Sequence, residues 1–162
     1  TKDQEENEIK PLTYYLKHLA FILLTCILLL FTIPIIVYKW YKYKYQHAKN
    51  VKEKAYYTYK SATFLLNQLQ VDRLDSTPFY FAKHKVDTQF NTDFTSFMIV
   101  YLKSKYANQV LNAQDETIIH QFFKPFEQKI KSHYKFTQRI SRFLNLNQFV
   151  RFYHLSEPPK NN

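Results

Sequence analysis

The hydrophobic and polar positions of this chain divide it into two parts. Residues 19–38 read LAFILLTCILLLFTIPIIVY and contain no charged side chain. At about 1.5 Å per residue a helix of this length spans about 30 Å, which matches the hydrocarbon core of a bilayer. The pattern predicts a transmembrane helix over residues 18–38, preceded by a short acidic segment at 1–17.

Two other kinds of segment can contain a similar apolar run: a buried helix of a soluble protein and a cleaved signal peptide. A buried helix of a soluble protein seldom runs this long without a charge. A cleaved signal peptide has basic residues before its apolar run and small residues after it. Here four acidic residues precede the run, and Val37-Tyr38-Lys39-Trp40 follows it. We therefore expect the helix to be retained as an anchor.

Beyond the span, apolar positions recur every three or four residues, which is the period of an amphipathic helix. The first stripe predicts a basic juxtamembrane helix over residues 39–70, either continuous with the span or following it after a slight break. Its three alanines would make a weak coiled-coil seam, so packing within the domain is favoured over dimerisation. Further stripes predict helices from about 92 to 106 and from 115 onward. Pro125 is expected to end or kink the last of these, or to begin the next one.

The predicted fold class is all-α: one transmembrane helix followed by a small cytoplasmic helical bundle. The bundle covers residues 71–154 and is followed by a tail at 155–162. Its core is expected to consist mostly of Phe, Tyr, Leu and Ile, with a last aromatic element at 149–153. Residues 79–92 show no clear period, and their class stays open.

Glycine is absent from all 162 residues. Glycine-rich phosphate loops, dinucleotide-binding fingerprints and nucleophile elbows each need backbone where only glycine fits, so these sites are excluded. The single cysteine, Cys26, lies in the apolar run, and the six histidines form no metal-binding spacing. Asp72 with Asp75 and Asp115 with Glu116 suit turns and helix caps better than acid–base catalysis. We expect no catalytic residue, no metal and no cofactor, and hence no enzyme.

Charge predicts the orientation of the span. Residues 39–162 carry 20 basic and 9 acidic residues, a net charge of +11, and seven lysines fall within residues 39–60. The positive-inside rule places this side in the cytoplasm and the N-terminus outside. Aromatic and basic residues at both margins are predicted to lie at the membrane interface. They are Tyr14, Tyr15, Tyr38, Lys39, Trp40, Tyr41, Lys42 and Lys44.

Basic residues also recur late in the chain, several of them four or seven positions apart. They form a candidate basic face that would contact nucleic acid, anionic lipid or protein, although a simple solvated helix face has the same pattern. Its members are Lys124, Lys131, Lys135, Arg139, Arg142 and Arg151.

The layout resembles the small single-span membrane proteins encoded beside MoxR-type AAA+ ATPases and von Willebrand factor A-domain proteins, the Bat or aerotolerance-type group. It is also similar to the C-terminal region of the larger protein of that group. The similar phrases are residues 97–106, 115–122 and 140–152, the last ending in Phe149-Val150-Arg151-Phe152. In that group an acid usually precedes this ending, whereas this chain has Asn147-Gln148.

The resemblance implies a non-enzymatic accessory subunit that holds partners at the membrane, such as a MoxR-type ATPase and A-domain proteins. We therefore expect a membrane-anchored adaptor that contacts the bilayer and cytoplasmic proteins, with no small-molecule substrate. The alternative is a membrane-tethered basic domain that binds nucleic acid or anionic lipid.

Overall fold

The computed structural model describes residues 12–73, 76–106 and 111–156, and within these ranges the chain is helical with no strand. The predicted all-α class is confirmed. The helices are α1 (Leu12–Gln46), α2 (Val51–Gln68), α3 (Pro78–Phe81), α4 (Thr88–Phe90), α5 (Phe94–Tyr106), α6 (Ala113–Ser132), α7 (Phe136–Phe143) and α8 (Leu146–Ser156). A π-helical turn, Ala82–Asp87, joins α3 to α4.

The chain divides into two compact units, Thr1–Ile33 and Pro34–Asn162. The described part of the first unit is the beginning of α1, whose apolar side chains are exposed. The α1 segment Tyr14–Gln46 is long enough and apolar enough to cross a membrane. Thr25 and Thr32 donate hydrogen bonds to the backbone carbonyls of Phe21 and Leu29, at 2.8 and 2.7 Å. Their hydroxyls are therefore compatible with an apolar environment.

The second unit has a core formed chiefly by α2, α5 and α6. Helix α2 lies at its centre and packs against α5, α6 and α8. The predicted α2 stripe is buried at Ala55, Ala62, Leu66 and Leu69, each no more than 1% exposed. The small side chains of these alanines let neighbouring helices approach closely. The stripe is buried by packing within one chain rather than by a dimer.

The predicted juxtamembrane helix over residues 39–70 is divided in two. Helix α1 continues to Gln46, the chain turns at residues 47–50, and α2 begins at Val51. Asn50 caps α2, because its side chain accepts a hydrogen bond from the backbone N–H of Glu53 at 2.8 Å. The Glu53 carboxylate accepts in turn from the N–H of Lys49. These two hydrogen bonds satisfy two backbone donors at the turn and favour the start of α2 at Val51.

Pro125 neither ends its helix nor starts another, because α6 is continuous from Ala113 to Ser132. Proline removes one backbone hydrogen bond. However, Phe123, Phe126 and Ile130 all lie on one buried face of α6. Ending the helix at Pro125 would expose that face, so packing outweighs the lost bond. The helical region expected from residue 115 onward is instead broken at residues 133–135, and α7 and α8 follow.

Of residues 79–92, whose class their pattern left open, 79–90 are helical with the π turn at their centre. Ala82, Val86 and Phe90 follow the i, i+4, i+8 spacing of one helix face and are all buried. The π turn ends at Asp87, whose side chain faces the start of α5. The Asp87 carboxylate accepts from the backbone N–H groups of Phe94 and Thr95 at 2.7 and 2.9 Å. Asp87 therefore caps α5.

Candidate functional site

The end of α1 contributes side chains to the core of the second unit, and this changes the role of several predicted interface residues. Tyr38 and Tyr41 are each only 6% exposed and lie in the protein core. Their rings lie 6.2 and 5.8 Å from the ring of Phe64 on α2. Tyr38 and Tyr41 therefore do not face lipid headgroups, because aromatic residues of α2 and the later helices cover them. This corrects the interface assignment for these two residues.

The other predicted interface residues of α1 are more open. Trp40 is 48% exposed, and the Lys44 ammonium lies 5.8 Å from the centre of its ring. Lys39 is also exposed. In the first unit, Tyr14 and Tyr15 are exposed. These five residues occupy surfaces that are available to a membrane interface.

A buried ion cluster centred on Glu127 of α6 holds α1 in the bundle. Glu127 is 9% exposed and accepts a hydrogen bond from the Tyr38 hydroxyl at 2.8 Å. The ammonium of Lys42 donates to both carboxylate oxygens, at 3.0 and 2.8 Å. Lys131, one turn further along α6, donates at 2.5 Å. Lys42 was expected at the membrane interface. Its ammonium instead pairs with Glu127 and so joins α1 to α6.

The electrostatics of this cluster favour the ionised carboxylate. Burial by itself raises the pKa of Glu127, since it disfavours the charged form. The hydrogen bonds from Lys131, Lys42 and Tyr38 outweigh burial and hold its pKa below the ordinary value of 4.5. Glu127 is therefore an anion whose charge is compensated within the chain, which is typical of a structural ion pair rather than of a general acid or base.

Several members of the predicted basic face also make structural contacts. Lys131 belongs to the Glu127 cluster. The Arg142 guanidinium donates to the Leu69 carbonyl at 2.8 Å, and Arg151 pairs with the Asp72 carboxylate at 2.8 Å. These contacts connect the end of the chain to the end of α2. Three of the six predicted residues are therefore engaged in contacts within the chain.

The remaining three members are Lys124, Lys135 and Arg139. Lys124 is exposed on α6, and Lys135 is exposed where α7 begins. Arg139 is partly buried on α7, with its guanidinium 5.6 Å from the centre of the Phe136 ring. Arg139 borders a groove that also contains Lys39 of α1.

A second cluster, missed by sequence reasoning, combines tyrosines with lysines at the junction of α2 and α5. Tyr59 stacks on Tyr101 with ring centres 4.2 Å apart. Tyr56 and Tyr106 are 43% and 72% exposed. We call this surface the tyrosine–lysine patch; its members are Tyr56, Tyr59, Lys60, Tyr101, Lys105 and Tyr106. Its two lysines lie on different helices and far apart in the sequence, so no local pattern indicates it.

Lys60 is the central cation of this patch. Its ammonium lies 5.9 Å from the ring centre of Tyr56 and 5.5 Å from that of Phe152. Burial lowers its pKa, and the charge of Lys105 lowers it further. None of the ion pairs within the described residues includes Lys60. A partly desolvated cation among aromatic rings is suited to binding an anion from outside the chain.

A cleft beside Lys60 extends the patch. It has a volume of about 190 Å³, with Met98, Phe81 and Phe152 among its apolar walls and Arg73 among its polar ones. A carboxylate that also lines the cleft, Asp72, is already paired with Arg151. The cleft can therefore accept an apolar side chain while Lys60 contacts an acidic neighbour.

The groups considered for catalysis or metal binding are separated. Across residues 12–73, 76–106 and 111–156, no three His, Cys, Asp or Glu side chains are grouped as metal ligands. Asp115 pairs with Lys103 and forms a reciprocal cap with Asn112. His120 Nδ1 lies 2.7 Å from the Lys54 ammonium. Asp75 lies outside the described residues.

Comparison with known proteins yields no relative: no family model, curated protein or solved structure matches this chain. The resemblance to the Bat group stays a prediction. The function must therefore be argued from the site itself.

Proposed function

We propose that this chain is a membrane-anchored, non-enzymatic adaptor of the bacterial inner membrane. Helix α1 crosses the bilayer with the N-terminus outside, and the helical bundle docks acidic segments of cytoplasmic proteins. The observation that carries the proposal is Lys60, a partly buried cation among aromatic rings with no carboxylate partner in the described chain.

Three features of the bundle support docking over catalysis. The well-buried carboxylates Asp115 and Glu127 are both engaged in ion pairs. The exposed tyrosines of the patch are of the residue type enriched at the energetic centres of protein interfaces. The net charge of +11 on residues 39–162 favours acidic partners through long-range attraction.

The involvement of α1 in the core supports anchoring as part of the function. A protein that needs only to be kept near a membrane can be tethered by a flexible linker. Here Tyr38, Tyr41 and Lys42 of α1 are core or ion-pair residues of the second unit. Partners bound to the bundle would therefore be held directly at the membrane helix. From the resemblance, a MoxR-type AAA+ ATPase and an A-domain protein are the proposed partners.

Charge reversal of the patch tests the docking surface. Full-length protein carrying Lys60→Glu and Lys105→Glu would be purified gently from native membranes beside the wild type, and co-purifying proteins quantified by mass spectrometry. The matched control carries Lys52→Glu and Lys124→Glu, two exposed lysines outside the patch. We expect an AAA+ or A-domain partner with the wild type and the control, and its loss with the patch variant.

Two results would contradict this proposal. Equal losses in the patch variant and the control would show that only bulk charge matters. Recovery of nucleic acid that dissociates with rising salt would support the alternative of a tethered nucleic-acid binder.

Orientation needs a separate test. A cysteine introduced at exposed Gln128, in a Cys26→Ser background, should resist a membrane-impermeant maleimide in intact cells and react after lysis. Labelling in intact cells would place the bundle outside.

A further inference from the structure

A groove of about 330 Å³ lies between the end of α1 and helix α7, and we call it the juxtamembrane groove. On one side it is lined by Ile35 and Lys39, and on the other by Phe136, Arg139 and Ile140. Ile35 belongs to the uncharged run that ends at residue 38, and Lys39 is the first charge after it. The groove therefore lies along the part of α1 where apolar sequence gives way to basic sequence.

Helix α7 has an apolar face that the protein covers only in part. Phe136, Ile140 and Phe143 follow the i, i+4, i+7 spacing of one helix face. Phe143 is partly buried and packs edge-on against Tyr38, with ring centres 5.2 Å apart. Phe136 and Ile140 are 67% and 44% exposed. An amphipathic helix with basic residues beside such an apolar face is typical of elements that lie in a membrane interface.

Two cations at the groove lack anionic partners among the described residues. Lys39 is exposed and belongs to none of the ion pairs found there. The Nε atom of Arg139 is buried and has no hydrogen-bond acceptor among the described residues. By contrast, Lys42 and Lys131, which also border the groove, are both satisfied by Glu127. The groove therefore combines apolar walls with two positive charges that no described carboxylate compensates.

The geometry points to a binding site for the headgroup of an acidic phospholipid in the juxtamembrane groove. The phosphate lies between Lys39 and Arg139, and the acyl chains follow Ile35, Phe136 and Ile140. Guanidinium groups match phosphate oxygens well, and a lipid supplies the anion and the apolar chain in the same molecule. The inference rests on the proposed crossing of the membrane by α1, because only then does the groove meet a bilayer.

Lipid binding to the full-length protein in detergent, measured by native mass spectrometry, tests the charged part of the site. The probes are phosphatidylglycerol and phosphatidylcholine of identical acyl chains. We expect one tightly bound phosphatidylglycerol, and about tenfold weaker binding in a Lys39→Gln, Arg139→Gln variant. The control, Lys52→Gln with Lys124→Gln, removes the same charge elsewhere and should bind like the wild type.

A second variant tests the apolar part. Phe136→Ser with Ile140→Ser changes two exposed side chains and should leave the bundle folded while weakening phosphatidylglycerol binding. Inorganic phosphate and glycerol phosphate serve as competitors, and neither should displace the lipid at equal concentration. Displacement by either one would overturn the lipid assignment in favour of a free phosphate site.

Two other results would overturn the inference: equal affinity for both lipids, and equal weakening in the charge variant and its control. Extraction of membranes with alkaline carbonate separates this inference from the proposed function. Release of the chain by carbonate would show that it does not span the membrane, and this would contradict the proposed anchor itself. A chain that resists carbonate but shows no headgroup preference contradicts only the lipid site.

Discussion

Two charged clusters of the bundle, around Glu127 and around Lys60, are built in opposite ways. At Glu127 a buried carboxylate receives two ammonium groups and a phenol, so that its charge is compensated within the chain. At Lys60 a cation is partly desolvated beside aromatic rings without a carboxylate among the described ion pairs. The first cluster holds the end of α1 against α6, whereas the second is the proposed binding site for an external anion. Stability and proposed binding therefore depend on different residues and can be altered separately.

The largest effect is expected from Glu127→Leu. This substitution leaves Lys42, Lys131 and the Tyr38 hydroxyl without their acceptor. Removing one partner of a buried pair costs about 3–5 kcal/mol, and we expect the lower end of that range because both lysines reach solvent. Denaturant unfolding of the full-length protein in detergent, followed by Trp40 fluorescence, measures the change. Glu116→Gln, in the first turn of α6, is the control and should cost less than about 0.5 kcal/mol. Wild-type stability in the Glu127→Leu variant would show that the cluster is not structural.

A second carboxylate, Asp87, extends the comparison because it accepts hydrogen bonds from helix N–H groups rather than from lysines. Asp87→Ala removes the cap of α5 and should lower the free energy of unfolding by about 1–2 kcal/mol. Asp93→Ala is the matched control, since the Asp93 side chain accepts from the Ser96 hydroxyl instead. Hydrogen exchange of the Phe94 and Thr95 amides should accelerate in the Asp87 variant alone. Equal effects from both substitutions would contradict the assignment of the cap.

Lowering the pH should remove the stabilisation that the paired carboxylates of Asp115 and Glu127 give to the folded protein. The Lys103 hydrogen bond, and then the Asn112 backbone N–H, hold the pKa of Asp115 below its ordinary value, and the pKa of Glu127 is lowered as well. A carboxyl group with a lowered pKa in the folded state stabilises the protein above its unfolded pKa. That stability is lost as pH falls through the lower folded pKa. The free energy of unfolding should therefore decline below about pH 4.5. A Glu127→Gln protein should show a shallower decline, and an unchanged slope would contradict the role of Glu127.

The smallest effect on stability is expected from Lys60→Met. The substitution removes an uncompensated cation and keeps the aliphatic stem against Phe152. Its free energy of unfolding should stay within about 0.5 kcal/mol of the wild type, while partner capture is lost. Thermal unfolding and the co-purification assay together test this separation. A large loss of stability would show that Lys60 belongs to the fold in the same way as Glu127.

Local periodicity predicted the helices whose apolar faces are repetitive. Phe94, Phe97, Met98 and Tyr101 are all buried on α5, as their spacing indicated. On α6, Ile119 and Phe123 are buried for the same reason. A repeated apolar face is encoded within a few turns, so a single sequence contains the information needed to place it.

Contacts between distant segments were not predictable in the same way. Tyr38 and Glu127 are 89 positions apart, and nothing near either residue indicates that the two meet. Tyr41 and Lys42 follow an apolar span, where aromatic and basic residues normally anchor a membrane interface. The same residue types also suit a mixed aromatic and ionic core. At Pro125, the local rule for proline was outweighed by the buried face of α6, which depends on tertiary packing.

The π turn at Ala82–Asp87 has a consequence for sequence change in this region. It accommodates one residue more than an α-helical path between α3 and α4 would need. Deleting one of residues 82–86 would restore ordinary α-helical geometry while the segments on either side keep their orientation, because the wider turn absorbs that residue. The carboxylate now at position 87 would then still reach the backbone amides at the start of α5. We therefore expect a single-residue deletion to be tolerated better at this turn than inside α5 or α6, where it would rotate the following side chains by about 100°.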